Sequence, residues 1–195
     1  MLIKKHRHFI IHKPYGFLSQ FITNQALGKK KLLGELYDFP EGTMAVGRLD
    51  VKSEGLLLLT TDGKVSDFIT TRGGVEKEYY VQVDGAISNE KIQQLREGVE
   101  IGFDGKKYMT KPAVVNLIED PNFPCRGKKI RDERHGPTSW ISVIIKEGKF
   151  RQVRKMTSAV GCPTLRLVRV RVGNIAIKKL EAGSVIEVDS LIKEG

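Results

Sequence analysis

The chain has 195 residues and 40% apolar side chains, and its 33 lysines and arginines outnumber 23 acids to give a formal charge of +10. That length and apolar fraction suit a single globular domain with a real core, and exclude a disordered or fibrous chain. Cys125 and Cys162 are too few for a disulfide scaffold and too far apart for a zinc cluster, so they read as reduced thiols of a cytoplasmic protein.

Residues 8–12 (HFIIH) predict a short strand, closed by a turn at Lys13-Pro14-Tyr15-Gly16. Lys29 to Tyr37 is open between an amphipathic helix and a loop. Glu54 to Thr61 contains the longest aliphatic run, Leu56 to Leu59, and predicts a buried strand ended at Asp62-Gly63. Four residues fall far short of the ~20 that cross a bilayer. Phe9-Ile10-Ile11 is likewise too short for a secretory apolar region. Lys64 to Thr71 predicts a short helix stopped by Gly73-Gly74. Glu76 to Val83 alternates as a strand should, with Lys77, Tyr79, Val81 and Val83 on one face.

Ser88 to Glu97 carries a helix cap at Ser88, an inward Ile92 and Leu95, and a stop at Gly98. Residues 99–118 predict short strands, with turns at Asp104-Gly105 and before Pro112. Glu119 to Thr138 has no apolar period and reads as a long charged loop. Ser139 to Lys146 predicts a strand. Phe150 to Val160 predicts a helix with Val153, Met156 and Val160 inward and Arg151, Arg154, Lys155 and Ser158 outward. Pro163 to Val172 predicts a strand with one basic face, and Ser184 to Val188 a last strand. Strands dominate and helices come irregularly, so the expected class is α+β.

The charge excess is concentrated. Residues 146–179 hold ten basic residues and one acid, Glu147. A focused positive field is the footprint of a polyanion, and nucleic acid is the first candidate. A membrane surface would want an amphipathic helix rich in Trp or Phe, and the only Trp is Trp140. His6, His8 and His12 stand among Lys4, Lys5, Arg7 and Lys13, a field that repels cations, so no metal site is expected.

Ala45 to Gly63 (AVGRLDVKSEGLLLLTTDG) sets Asp50 between a Gly-Arg turn and an apolar strand. A carboxylate there needs either an ion-pair partner such as Arg48 or a special task. The stretch resembles the signature of the RsuA/RluE-type pseudouridine synthases at Gly47, Arg48, Leu49, Asp50, Ser53, Gly55, Leu56 to Leu59, Thr60 and Thr61. Three more segments resemble the family in order: Lys13 to Ser19 its KPxGxLS opening, Lys77-Glu78-Tyr79 its Lys-x-Tyr strand, and Glu147 to Met156 its EG(R/K)xxQVRRM helix start. Gly161 to Gly173 is similar to its GxPxLRLxRxxxG segment. The resemblance runs from about residue 8 to 188.

The resemblance implies a mixed, largely antiparallel sheet with flanking helices and a central basic cleft. It implies one catalytic domain over 1–195, with two lobes as a variant of that arrangement. No room is seen for the S4-like RNA-binding domain of several relatives, which points to the RluE branch and to large-subunit 23S ribosomal RNA as partner. The implied reaction is cofactor-free isomerisation of uridine to pseudouridine. Asp50 is the implied catalyst, as nucleophile at C1′ or as base on the sugar, and either role needs an ionised carboxylate. A cation keeps it charged; Lys149 matches the family's basic position, with Arg151 the alternative. Tyr79 matches an active-site Tyr that stacks on the uracil. The target base must leave its stack, and phosphate contacts are expected from Lys13, Arg151, Arg154, Lys155, Arg166, Arg169 and Arg171. Arg48 either holds the flipped nucleotide's phosphate or pairs with an acid. A monomer is expected. The competing reading is a non-catalytic rRNA-binding or ribosome-assembly protein.

Overall fold

The computed structural model describes residues 5–24, 26–72, 74–128, 130 and 133–192. Lys4, and Gly73 of the Gly73-Gly74 helix stop, lie outside them. The elements in chain order are β1 (His8–Lys13), β2 (Met44–Val46), β3 (Glu54–Thr60), α1 (Gly63–Asp67), β4 (Lys77–Asp84), α2 (Asn89–Glu97), β5 (Glu100–Phe103), β6 (Lys106–Met109), β7 (Val114–Ile118), β8 (Thr138–Ile145), α3 (Gln152–Ala159), β9 (Thr164–Val172), β10 (Ile175–Ala176) and β11 (Val185–Val188). The fold is α+β. None of the described helices is long and apolar enough to cross a membrane. Two compact units are present. The first holds residues up to Val75 together with those from Arg169 onward, and the second runs from Glu76 to Val168.

In the first unit β3 is the central strand, and every one of its residues is buried. An uninterrupted leucine run suits a strand with no solvent face. β1 lies antiparallel to it, with Ile11 opposite Leu57 and Phe9 opposite Leu59. β2 also pairs with β3, Val46 opposite Leu58, and β11 covers the far edge of β1. Buried His8 and Thr60 face each other in the ladder and satisfy one another through a 2.8 Å Nδ1–Oγ1 hydrogen bond.

Gly55 sits at φ +106°, and a Cβ built there would lie 2.3 Å from the carbonyl oxygen of Arg169. Only a residue without a side chain allows this backbone-to-backbone approach. After β3, Asp62 caps α1 by accepting from the Lys64 N–H at 2.8 Å.

The segment Lys29 to Tyr37 is neither a full helix nor a free loop. A single 3-10 turn, Leu33–Glu35, interrupts an extended stretch. Only Leu33 in that turn is buried, so no apolar stripe supports a helix. Lys31 instead exchanges backbone bonds with Gly16 and Leu18. The three-residue β2 and two-residue β10 were too short to carry an alternation visible in the sequence.

The second unit is built on the antiparallel trio β4, β8 and β7. Tyr79 stands opposite Val143, and Leu117 opposite Ile141. Tyr79, Val81 and Val83 point inward, as the alternation predicts, while Lys77 on the same face is only half-buried. α2 packs on β7 through Ile92 and Leu95, with Ser88 capping its start. The β5–β6 hairpin supports α3, whose inward residues are Gln152, Val153, Met156 and Thr157.

Replacing Gly55 with alanine would force two backbones apart and strain φ at once. A loss of about 3 kcal/mol or more in urea unfolding is expected. A loss below about 0.5 kcal/mol, the range of an ordinary surface change, would show that the close approach is not a packing constraint.

Candidate active site

In the first unit, the Gly-Arg-Leu-Asp segment forms the connection between paired strands β2 and β3. Leu49 is buried and anchors it. Its N–H donates to Ser19 Oγ at 3.0 Å, and Ser19 Oγ donates back to the Leu49 carbonyl at 2.9 Å. The Gly16 N–H donates to the Val51 carbonyl at 2.8 Å, and the Ser53 N–H to the Asp50 carbonyl at 2.9 Å. Two segments about 30 residues apart in sequence are thus laced together by the Ser19 hydroxyl and one backbone–backbone bond. Asp50 is left half-buried, and Arg48 beside it is exposed.

Lys13 is the surprise of this unit. It has 0% exposure. Its Nζ donates to the carbonyls of Pro14 at 2.9 Å and Phe17 at 2.8 Å. Burial drives its pKa down to about 7; the charges of Glu54 and Asp50 oppose the drop, and that of Arg169 adds to it. Lys13, expected among the RNA-binding residues, is thus wholly buried here. It is a buried amine that stitches the Lys13-to-Phe17 turn under the Asp50 loop. Glu54 and Arg169 are buried with it.

Arg169 is 3% exposed, and its Nε donates to the Leu56 carbonyl at 2.7 Å. Among the described residues, its Nη2 has no hydrogen-bond partner.

In the second unit, Tyr79 is buried on β4. The turn from Glu147 to Gln152 is tightly pinned. Glu147 accepts from Tyr108 Oη at 2.6 Å, the Lys111 N–H at 2.9 Å and Gln152 Nε2 at 2.6 Å. Burial pushes the Glu147 pKa up, but these three donors outweigh it and hold the carboxyl below its usual range. Gln152 Oε1 accepts from the Lys149 N–H at 2.9 Å. The Lys149 ammonium sits 5.0 Å from the ring centre of Phe103 and 5.2 Å from that of Tyr108. Arg151 is exposed and Arg154 and Lys155 are half-buried.

The predicted basic face of β9 does not exist as such. Side chains alternate along a strand, so Arg166 lies on the opposite face from Arg169 and Arg171. Arg166 is 7% exposed; it donates to the Pro124 carbonyl at 2.9 Å and stacks over the Phe123 ring at 5.4 Å. It fastens part of the long 119–138 loop, in which Lys129, Arg131 and Asp132 lie outside the described residues. Arg171 is half-buried and donates to the Gly173 carbonyl at 2.9 Å. Arg166 and Arg169 are both buried although they lie on opposite faces, so parity alone does not mark them.

Residues 7–159 match the family model described as RNA pseudouridylate synthase. The chain belongs to the RNA pseudouridylate synthase family. The protein named ribosomal large subunit pseudouridine synthase E of Vibrio parahaemolyticus is 40% identical over 95% of this chain and 75% of its own length. Its namesake from Xanthomonas axonopodis pv. citri is 44% identical over 85% of each. A crystal structure of a pseudouridylate synthase superposes with a TM-score of 0.76, at 26% identity, over 96% of this chain and 72% of the other.

In this synthase the buried amine has a measurable consequence. Above about pH 7 the folded protein holds Lys13 neutral, while the unfolded chain keeps it protonated to about 10.5. The unfolded state binds more protons in that window, so stability contributed by this site rises with pH there. Below pH 7 the full cost of the buried charge is present. Against a Lys13→Met variant, the wild type is expected to gain stability between about pH 7 and 10, by at most about 1.4 kcal/mol per pH unit. Urea unfolding across that range measures it, and a flat difference would mean that the amine is solvated.

Proposed function

We propose that this synthase converts a uridine of large-subunit ribosomal RNA to pseudouridine, with Asp50 as the catalytic carboxylate. Both named relatives are large-subunit synthases, which supports the choice of RNA. The observation that supports the role of Asp50 is its setting: the only acid in the 47–53 loop, half-buried, in a loop bonded to the Lys13-to-Ser19 segment.

The reaction breaks the N1–C1′ bond, turns the base, and joins C5 to C1′. N1 gains a proton and C5 gives one up, so the isomerisation is redox-neutral and balanced without a co-reactant. Asp50 acts first, as a nucleophile at C1′ or as a base on the sugar, from a loop whose backbone is fixed by the Gly16, Ser19 and Ser53 bonds. Tyr79 stacks on the uracil in this reading. Lys149, with Arg151 as the alternative, takes the family's basic position in this reading. Arg48, Arg151, Arg154, Lys155 and Arg171 hold the RNA backbone, and flipping the target base costs a few kcal/mol that such contacts offset. Lys13 positions the loop and touches no substrate. We take the enzyme to be a cytoplasmic monomer that acts as a single catalytic domain.

Tritium release from C5-labelled uridine in unmodified 23S rRNA tests the proposal. Asp50→Asn is expected to lower the rate by roughly three orders of magnitude or more while RNA binding is retained. Turnover that survives this substitution removes Asp50 as the catalyst. Tight binding without release by the wild type would favour a binding protein that keeps the fold without the activity.

A further inference from the structure

Phe150 is 67% exposed, the most exposed aromatic ring among the described residues. It lies in the pinned turn before α3, and nothing in the proposed chemistry uses it. A lone exposed phenylalanine is common on protein surfaces; the surroundings of this one are not. Its neighbours in sequence are Lys149 and Arg151, and one turn further along α3 come Arg154 and Lys155. The acid nearest in sequence, Glu147, is committed to three hydrogen bonds within the unit.

The turn is held in a costly conformation. Arg151 adopts φ +52° and ψ +34°, the left-handed region that a branched-chain or long side chain seldom occupies. The bonds between Lys149 and Gln152, and from Gln152 to Glu147, over-determine that geometry. Strain of this kind persists where the surroundings enforce it, and the consequence here is a ring turned outward. The Lys155 ammonium lies 5.3 Å from the Phe150 ring centre. It is itself anchored on the Gly102 carbonyl at 2.6 Å. The ring thus has a fixed cation at one side, and the rest of its surface meets solvent.

A rigid, exposed aromatic ring among cations is the combination that holds a nucleobase by stacking while the cations take the adjoining phosphates. We propose that Phe150 is a stacking platform for an unpaired base of the RNA. This rests on the reading of the protein as an RNA synthase and adds a binding position to it. Stacking is tolerant of base identity, so the platform contributes affinity and placement rather than sequence choice.

The test uses the full-length protein and two single-stranded probes, an oligouridylate and an abasic strand of equal length and charge. Phe150→Ala is expected to weaken binding of the oligouridylate about tenfold and to leave the abasic strand unaffected. Phe150→Tyr should restore affinity, whereas Phe150→Leu, equally apolar, should not. The salt dependence separates the ring from its neighbours. It should be unchanged in Phe150→Ala and reduced by about 0.7 in log–log slope in Arg151→Gln. Equal losses on both strands, full rescue by leucine, or a wild type that does not distinguish the strands would each overturn the platform. Tritium release by the wild type is read separately, so failure of the synthase activity and failure of the platform give different results.

Discussion

A primary amine taken wholly out of water is expensive, and the cost shapes the first unit. Lys13 can be buried because two carbonyls, those of Pro14 and Phe17, converge on its nitrogen, and because the Glu54 and Asp50 charges lie in reach. Those carbonyls converge only if the chain turns sharply after β1. That turn brings Gly16 and Ser19 to the loop that carries Asp50, where three backbone-level bonds fix it. The placement of the Asp50 loop is thus tied to satisfying one nitrogen.

The second unit solves a related problem with the opposite charge. Glu147 is kept as an anion by a phenol, a backbone N–H and a side-chain amide. Fixing that anion fixes the turn, and the turn determines what the start of α3 presents. Lys149 is drawn onto the rings of Phe103 and Tyr108, and Phe150 is turned away from them. In both units a buried or half-buried ionisable group organises a loop.

Much of this was legible in the sequence. The leucine run of β3, the alternation of β4 and the Ser88 cap of α2 each follow from a local rule that tertiary contacts did not override. The signature around Asp50 was legible because its residue types recur in a fixed spacing. Lys13 was misread because a lysine in a basic run looks solvated, and only the three-dimensional return of residues 14–17 over it shows otherwise. Arg166 and Arg169 were misread for a simpler reason. Charge was summed along β9 without regard to whether each side chain reaches solvent. Of the ten cations in residues 146–179, those two serve the interior, so the field that RNA meets is weaker than the formal charge implies. The Lys29-to-Tyr37 segment failed as a helix because one buried leucine does not make a stripe.

The close contact at Gly55 bears on how such signatures should be interpreted. Within Gly-Arg-Leu-Asp-x-x-Ser-x-Gly, the aspartate is the residue proposed to do the chemistry, but the last glycine answers to the carbonyl of Arg169 pressed against it. A descendant that lost the carboxylate and turned to mere RNA binding would still be obliged to keep that glycine, as well as the leucines after it. Most letters of the motif therefore certify ancestry and architecture. On the proposed chemistry only the aspartate bears on turnover, so relatives sorted by whether that single position is retained are expected to divide enzymes from silent scaffolds more sharply than overall similarity does.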